Sequence, residues 1–382
     1  MAAPGLAVRK RIVDGNAFRF LDLGLLGAVY GIQLLGLLMI YSSSRARLRQ
    51  QGLSPFYFVE RQAVAVVLGT VVMVLVLSID YRKFRDWSVF AYIAAVAPLV
   101  LVLSPLGARS KGTQGWFPLP GGFQLQPGEF AKFFLAIALA GFAYQFVADF
   151  DVRRLATYLV LAGFPIGLVL LQPDLGTAMV MGVIAIAILA AAGVKARYLA
   201  VLAAVAVIAV VAVLQLGILQ RYQVDRLTSF LNQGTKNVQG AAYNQDQSKT
   251  AIGNGGLTGR GLFGGSQTEG GYVPEQHTDF IFTAVGEELG FFGAATVLAL
   301  FGIVVWRMWR SAVLAADPFG TLVCVGMLAM FMFHVFENIG MSMGIMPVTG
   351  IPLPFMSYGG TSTIVFFACV GMVLNVQMRR FS

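Results

Sequence analysis

The sequence predicts an all-α polytopic membrane protein, a bundle of about ten transmembrane helices with one long extracytoplasmic loop. Apolar residues make up 57% of the 382 residues and charged residues only 12%, against about 45–50% and about 25% in soluble domains. The mean hydropathy of +0.75 is too high for a soluble core, because such cores stop growing at about 250–300 residues. The apolar residues also form continuous runs without the alternation typical of a membrane barrel.

Ten apolar runs approach the length of about 20 residues that a transmembrane helix needs. They cover residues 18–41, 63–79, 87–106, 130–146, 155–171, 175–192, 199–219, 280–306, 319–341 and 361–376. The first run is too long for a signal-peptide core and lacks a cleavage pattern, so we expect it to remain as a span. We expect residues 1–382 to form a single integral membrane domain.

Basic residues are unequally divided between alternate loops, and the richer side is expected to face the cytoplasm. Fifteen lie on one side and six in the short loops of the other, where Arg45, Arg47, Arg49 and Arg61 oppose the trend. Both termini are therefore predicted to be cytoplasmic, and residues 220–279, between the seventh and eighth spans, to form the long outer loop. The net charge of +9 then reflects topology signals and contacts with anionic lipid, so no nucleic-acid partner is expected.

The sequence argues against several classes of site. Its two cysteines, Cys324 and Cys369, fall in apolar runs and indicate no disulfide framework, and its two histidines are too few for a His/Cys zinc centre. No phosphate-binding loop, dinucleotide fingerprint or Ser-His-Asp order faces the cytoplasm. The polar motifs lie outside, where nucleotide donors are absent. An enzyme working there needs an activated substrate, and lipid-linked diphosphates are such a class.

The loop 220–279 contains eleven glycines in sixty residues and mixes aromatic, charged and polar residues. A loop this long is usually functional or disordered, and its varied composition favours function. Asp279 ends it at the outer membrane boundary, directly before the eighth span. Two interpretations are open: either Thr278 or Asp279 caps the following helix, or the Asp279 carboxylate accepts a proton at headgroup level, with Glu275 and His277 as partners.

A second polar cluster leads into the fourth span. Glu129 and Lys132 are three residues apart and therefore share one helix face. They are either a mutually neutralised pair or part of a polar wall in which Lys132 or Lys111 holds a phosphate as a point charge. Trp116 is most simply an interfacial anchor.

Other polar groups have simpler interpretations. Asp174 precedes the sixth span and is predicted to cap it. The prolines of residues 346–358 predict a rigid connection, followed by a tight turn and cap at 357–362. Four ionisable groups inside spans either relay protons or pair within the bundle; they are Glu287, Glu288, His334 and Glu337.

Together these motifs resemble the shape, elongation, division and sporulation family of bacterial membrane proteins. They follow the family order and cover nearly the whole chain: Lys111-Gly112 with Trp116, then residues 126–129, 172–177, 274–280, 286–290 and 357–360. Residues 346–354 are more similar to the elongation proteins of the family than to the division proteins. The resemblance implies a bacterial cytoplasmic membrane and a peptidoglycan glycosyltransferase that polymerises lipid II during cell elongation.

The resemblance also implies roles for individual residues. Asp279 matches the essential aspartate of the family, Arg61 a basic residue at the start of the second span, and Lys249 a basic residue of the long loop. Glu129 and Lys132 match polar residues of a cavity. The chain departs from the family at four positions, where relatives carry arginine or serine; here they are Gly115, Gln124, Gly128 and Thr361.

The implied reaction is an inverting glycosyl transfer. Asp279 would remove the proton from the 4-hydroxyl of the acceptor lipid II as that oxygen attacks the growing chain. The leaving undecaprenyl diphosphate needs its charge stabilised by basic side chains or by a divalent cation such as Mg²⁺. The basic candidates are Arg61, Lys111, Lys132, Lys249 and Arg260. No cofactor and no metal ligands are identified from the sequence.

The implied partners are lipid II, the undecaprenyl-diphosphate glycan, membrane lipid, a class B penicillin-binding protein and other membrane proteins of the elongation complex. Two other function classes are carried as alternatives. A flippase for the lipid-linked precursor needs polar groups along a path to the cytoplasmic side, and the loops there offer mainly arginines. A non-catalytic scaffold predicts that Asp279 is dispensable.

Overall fold

The structure is a computed structural model that describes residues 20–110, 113–118, 124–215 and 241–380. In chain order the described helices are α1 (Leu23–Gln50), α2 (Tyr57–Ser78), α3 (Tyr81–Asp86), α4 (Ser88–Val102), α5 (Pro127–Tyr144), α6 (Val152–Leu171), α7 (Leu175–Ala191), α8 (Ala196–Gln215), α9 (Ala241–Gly255), α10 (Ser266–Glu269), α11 (Ile281–Val313), α12 (Pro318–Ser342) and α13 (Gly360–Met378). The described strands are β1 (Ala108–Ser110), β2 (Thr113–Pro118) and β3 (Gln124–Leu125).

Each of the ten predicted apolar segments coincides with one of these helices, although residues 216–219 of the seventh segment and 220–240 of the predicted long loop lie outside the described residues. The predicted all-α membrane bundle is confirmed. Within the described ranges, six helices are long and apolar enough to cross a membrane, namely α1, α2, α6, α11, α12 and α13. Shorter apolar helices occur in α4, α7 and α8. The core is centred on α13, which is buried along its whole length and packs against α2, α5 and α12.

The chain enters and leaves the bundle at the same end. The Asp22 carboxylate, at the start of α1, accepts a hydrogen bond from the Gln377 amide at 3.1 Å and lies 3.3 Å from Arg307. Asn375, near the end of α13, accepts a hydrogen bond from the Tyr81 amide. The two ends of the described chain therefore lie together, as an even number of spans requires. Which end faces the cytoplasm stays a prediction.

The first helix is longer than predicted. Because α1 continues to Gln50, Arg45 and its neighbours belong to its last turns rather than to a loop. The Arg45 guanidinium forms an ion pair with Glu269, donates to the Phe263 carbonyl at 2.8 Å and lies 4.7 Å from the Phe263 ring centroid. This arginine attaches the long loop to α1, which explains one of the basic residues that oppose the charge trend.

The loop before α5 contains a small antiparallel sheet that the sequence did not predict. β2 pairs with β1, where Trp116 lies opposite Ala108, and with β3, where Phe117 lies opposite Leu125. Strands this short carry too few residues for a period of two to be recognised. The sheet leads directly into α5.

Helix α11 is not the continuous eighth span that the sequence predicted. Its 33 residues would extend about 50 Å, more than the hydrocarbon thickness of about 30 Å. The helix is broken at Gly290, which has φ 66° and ψ −162°. The segment before the break is buried, whereas Phe291 and Phe292 after it are exposed. Residues 280–306 are therefore two helical segments joined at a glycine.

The long loop supplies the hydrogen bonds that this break leaves open. The amides of Arg260 and Gly261 donate to the carbonyls of Glu287 and Glu288 at 2.9 and 3.0 Å. In return, the amides of Phe291 and Phe292 donate to the carbonyls of Gly256 and Leu257 at 2.9 and 3.2 Å. The backbone groups at the break are thus paired, as buried amides and carbonyls must be.

The two buried glutamates of α11 hold the same loop through their side chains. The Glu287 carboxylate accepts hydrogen bonds from the Thr268 amide at 2.9 Å and from its hydroxyl at 2.7 Å. The Glu288 carboxylate accepts one from the Phe263 amide at 3.1 Å and another from the Ser42 hydroxyl. Of the two interpretations open from the sequence, these contacts support pairing within the bundle.

Replacing Gly259 by Ala is expected to detach this loop. Gly259 has a φ of +81°, and a Cβ there would lie 2.1 Å from the Glu288 carbonyl oxygen. Such overpacking costs about 1–3 kcal/mol. We expect a lower thermal unfolding temperature and faster proteolysis within residues 256–270. Gly253→Ala is the control, because Gly253 lies in α9 with open space around it; equal effects of the two changes would contradict the close-packing argument.

Candidate active site

Asp279 lies at the end of the bundle opposite to the chain ends, where the long loop enters α11. The N-cap of α11 is Phe280, whose side chain makes no capping hydrogen bond. Of the two interpretations open from the sequence, an N-cap at Thr278 or Asp279 is therefore not supported, because the N-cap lies at Phe280. Asp279 is partly buried, so its carboxylate is neither in the core nor fully exposed.

The Asp279 backbone is fixed from two sides. Its amide donates to the Glu275 carbonyl at 2.9 Å, and its carbonyl accepts from the Asn338 side-chain amide at 2.7 Å. The same Asn338 amide donates to the Ile351 carbonyl at 2.8 Å. The Asp279 carboxylate lies against the connection between α12 and α13, since a Cβ at Gly350 would be 3.4 Å from Oδ2.

The two predicted partners of Asp279 lie on the same turn. Glu275 has a positive φ of 51°, and its carboxylate accepts a hydrogen bond from the Thr278 hydroxyl at 3.2 Å. His277 is buried; its ring centroid is 4.4 Å from that of Phe58 and 5.8 Å from that of Tyr358. The turn that carries Asp279 is thus packed against α2 and the start of α13.

Arg61 reaches the same region from α2. Its guanidinium lies 4.3 Å from the Tyr57 ring centroid and interacts with the Tyr358 hydroxyl. Burial raises the pKa of Tyr358, and the Arg61 charge acts in the opposite direction. Arg61 and His277 are therefore both neighbours of Tyr358.

Gln62 is a site residue that the sequence reasoning missed. This fully buried amide donates to the Thr363 hydroxyl at 2.8 Å and accepts from the Gly359 amide at 3.1 Å. It holds the tight turn before α13, whose N-cap, Gly359, has no side-chain capping bond. Its signal in the sequence was an amide directly before an apolar run, next to Arg61.

Glu129 and Lys132 form a buried ion pair rather than an exposed polar wall. The Lys132 Nζ lies 2.6 Å from Glu129 Oε1, with the two side chains 1% and 5% exposed. Lys132 Nζ also lies 3.0 Å from His334 Nε2, which links α5 to α12. In this arrangement Lys132 is enclosed by protein groups, and its predicted contact with a phosphate stays a prediction.

One face of α12 connects these groups to Asp279. His334, Asn338 and Ser342 are four residues apart, so they follow one another on one side of the helix. The Ser342 hydroxyl donates to the Asn338 carbonyl at 2.9 Å, and the Ser342 carbonyl accepts from the Ser248 hydroxyl of α9 at 2.5 Å. We call this face the α12 polar face (His334, Asn338 and Ser342). It contacts α5, the turn that ends at Asp279 (residues 275–279, the Asp279 turn) and the long loop.

Helix α7 packs against the connection between α12 and α13. Asp174 caps it, as predicted, by accepting a hydrogen bond from the Thr177 amide at 2.9 Å. A Cβ at Gly176 would be 2.8 Å from Ile351 and 3.3 Å from the Thr349 carbonyl. Residues 349–351 therefore lie between α7, α12 and the Asp279 carboxylate.

The remaining predicted site residues lie in the loop before α5, in the long loop or outside the described residues. Trp116 is half-buried in β2. Lys249 lies on α9 and forms an ion pair with Asp246 at 2.8 Å, both side chains being about as exposed as buried, at 37% and 51%. The Arg260 guanidinium donates to the Asn254 carbonyl at 2.8 Å. Lys111 lies outside the described residues.

The structure shows the surroundings of the positions that depart from the family pattern. A Cβ at Gly128 would lie 3.3 Å from the Thr177 methyl carbon, a close approach to which the Thr177 side chain would have to adjust. The Thr361 hydroxyl donates to the Gln124 carbonyl at 3.2 Å, a contact with the backbone that does not depend on the Gln124 side chain. Gly115 is buried beside the Gln172 side chain, which would contact any larger residue.

The acidic side chains are the groups that could hold the divalent cation considered from the sequence, such as Mg²⁺. Within the described part of the chain, no three His, Cys, Asp or Glu side chains are grouped as metal ligands. Mg²⁺ is commonly held by one or two carboxylates together with substrate phosphates rather than by an all-protein cage. The Asp279 carboxylate fits such a shared site, in which the diphosphate would bring the remaining oxygens.

Comparisons with known proteins agree on one family. The sequence profile of the cell cycle protein family FtsW/RodA/SpoVE matches residues 24–381. The chain is 36% identical over 361 residues to the probable peptidoglycan glycosyltransferase FtsW of Geobacter metallireducens, covering 94% of this chain and 95% of that protein. It is also 36% identical over 321 residues to the peptidoglycan glycosyltransferase MrdB of Escherichia coli K12, covering 84% and 86%.

A solved structure shares the fold. It was described under the heading "Structural coordination of polymerization and crosslinking by a peptidoglycan synthase complex", and it matches with a TM-score of 0.79 and 31% identity. The match covers 94% of this chain and 98% of that chain. This chain therefore shares its fold with a solved structure over nearly the whole length of both chains.

Proposed function

The chain belongs to the FtsW/RodA/SpoVE family, and from that premise we propose that it is a peptidoglycan glycosyltransferase. Its substrate is lipid II, which it polymerises into β-1,4 glycan strands at the outer face of the bacterial cytoplasmic membrane, with both termini in the cytoplasm. The observation that carries the proposal is the placement of Asp279: its backbone is held by Asn338, and its partly buried carboxylate lies at the predicted outer end of the bundle.

Asp279 acts as the general base of this reaction. It removes the proton from the 4-hydroxyl of the acceptor sugar while that oxygen bonds to the anomeric carbon of the growing chain. The bond to undecaprenyl diphosphate breaks, and its electron pair leaves with the diphosphate. A positioned base of this kind contributes about 10²–10⁴-fold to the rate.

Basic side chains stabilise the charge of the leaving diphosphate. Arg61 is the best placed of the described candidates, because it interacts with Tyr358, which neighbours the Asp279 turn through His277. Lys249 and Arg260 are available on the long loop. Lys132 takes part only if its ion pair with Glu129 opens. When bound, Mg²⁺ would supply further positive charge to the diphosphate.

The role in elongation and the partners are also part of the proposal. Residues 346–354 favour the elongation branch of the family. Over the whole alignment, the relatives named FtsW and MrdB have the same sequence identity to this chain, 36%. A class B penicillin-binding protein is the proposed crosslinking partner, together with other membrane proteins of the elongation complex. The solved structure of a peptidoglycan synthase complex supports a partner of this kind.

The test is to reconstitute the protein with its penicillin-binding partner in vesicles that contain lipid II. We expect glycan strands to accumulate, and no transfer of fluorescent lipid II between the two leaflets above that of empty vesicles. Transfer without polymer would favour the flippase instead. Neither polymer nor transfer, from an intact complex supplied with Mg²⁺, would favour the scaffold.

A further inference from the structure

Asn338 connects two chain segments that are far apart in sequence. Its side chain is fully buried on α12, and its amide nitrogen donates to the Asp279 carbonyl at 2.7 Å and to the Ile351 carbonyl at 2.8 Å. One segment carries the Asp279 carboxylate. The other contains Gly350, against which that carboxylate lies. A single amide therefore sets the position of the carboxylate and of the surface beside it.

The α12 polar face also supports Asn338 itself. The Asn338 carbonyl accepts the Ser342 hydroxyl at 2.9 Å, and one turn earlier His334 lies 3.0 Å from Lys132. The residue is thus mounted on a rigid helix whose polar face is fixed at both ends. Rigid elements hold reacting groups more closely than loops do, and Asp279 itself follows a loop.

The hydrogen bonding around Asn338 differs from that of an ordinary structural asparagine. Among the described residues, the Asn338 Oδ1 has no hydrogen-bond partner, whereas the carboxylate of the adjacent Glu337 interacts with the Thr349 hydroxyl. Buried polar groups are usually satisfied, so this exception needs an explanation. Unsatisfied or strained groups that persist at one place point to function rather than to stability.

Asn375 provides the comparison within the same chain. It is also fully buried, and its amide nitrogen also donates to two carbonyls, those of Val76 and Ile79. Its amide oxygen, in contrast, accepts a hydrogen bond from the Tyr81 amide at 3.2 Å. Asn375 lies at the opposite end of the bundle, where its fully satisfied bonds connect α2, α3 and α13.

We propose that Asn338 is the positioning residue of the transferase site, which holds the Asp279 carboxylate and the 349–351 segment in the geometry that proton removal requires. The inference rests on the proposed function of Asp279. Asn338 does not contact the substrate; it acts through the Asp279 backbone. A misplacement of a catalytic group by about 1 Å can cost about 10²-fold in rate.

The test compares Asn338→Ala with Asn375→Ala in the reconstituted complex with the penicillin-binding partner. For Asn338→Ala we expect kcat per folded molecule to fall about 10–100-fold, while the KM for lipid II changes less than about twofold, because only the positioning of the base is lost. For Asn375→Ala we expect a lower unfolding temperature and an unchanged kcat per folded molecule. Asn338→Ser, which keeps one donor, is expected to recover part of the rate.

Three results would overturn the inference: equal kcat values for the two alanine variants, a change confined to KM, or no recovery by serine. Where Asn338→Ala does not give folded protein, Asn338→Ser replaces it, and its kcat is compared with that of Asn375→Ser. Asp279→Asn is measured in parallel. If Asp279→Asn keeps full activity, the proposed base is wrong; if Asp279→Asn is impaired and Asn338→Ala is not, only this inference fails.

Discussion

Replacing Asp279 by Asn is expected to lower the rate of lipid II polymerisation by about 10²–10⁴-fold, the contribution of a positioned general base. Asparagine keeps the size of the side chain and can accept a hydrogen bond, but it cannot take up a proton at neutral pH. The measurement is the rate of glycan strand formation by the reconstituted complex, with the amount of folded protein determined for each variant.

The stability of this variant is expected to match that of the unchanged protein. Two bonds that hold Asp279 use its backbone amide and carbonyl, which the substitution leaves in place, and asparagine keeps the size of the side chain. Its side chain is also not at the N-cap of α11, which is Phe280. A loss of activity with an unchanged unfolding temperature would therefore reflect lost chemistry.

Two further variants make this prediction specific. Asp279→Glu keeps the base but moves the carboxylate by one methylene, so we expect an intermediate rate. Asp86→Asn removes an exposed carboxylate at the opposite end of the bundle and is expected to leave the rate unchanged. Equal polymerisation by Asp279→Asn and the unchanged protein would remove Asp279 from the reaction.

The helices were predictable because membrane spans need long apolar runs, which local sequence reveals. The break in α11 was not, because it depends on a tertiary contact. Gly290 leaves the helical conformation at the point where residues 256–261 of the loop pair with the backbone on either side of it. A glycine within an apolar run carries no sign of such a partner. The same reason applies to the strands before α5, whose pairing is set by neighbours outside each strand.

The sequence pointed to the ionisable residues of the candidate site but not to its neutral amide side chains. Asp279 and His277 were singled out because ionisable groups are costly near a membrane, and Arg61 was singled out through the family resemblance. Gln62, directly before an apolar run, and Asn338, within one, carry no charge, yet they hold the turn before α13 and the Asp279 backbone. The spacing of His334, Asn338 and Ser342 was the available signal, since three polar residues at intervals of four predict one polar helix face.

The buried pair Glu129–Lys132 leads to the second large effect. Replacing Lys132 by Met leaves the Glu129 carboxylate buried without its counter-ion, and breaking a buried pair in this way costs about 3–5 kcal/mol. Replacing Glu129 by Leu leaves the Lys132 ammonium in the same position. We expect either change alone to lower the thermal unfolding temperature strongly.

The double variant Lys132→Met with Glu129→Leu separates stability from function. Buried ion pairs replaced by apolar residues of similar volume are often as stable as before, so the unfolding temperature is expected to return close to its original value. We expect polymerisation to stay low, because the contact between Lys132 and His334 that fixes the α12 polar face is lost. A stable and fully active double variant would remove both residues from the site.

The chain offers a matched control for the electrostatic argument. Asp246 and Lys249 have the same spacing as Glu129 and Lys132 and form an ion pair at 2.8 Å, but their side chains are 51% and 37% exposed. Exposed pairs contribute about 0–1 kcal/mol, so Lys249→Met is expected to change the unfolding temperature little. If Lys132→Met and Lys249→Met destabilise the protein equally, burial does not determine the strength of these pairs. A large difference instead assigns the effect to the uncompensated charge that Lys132→Met leaves between α5 and α12.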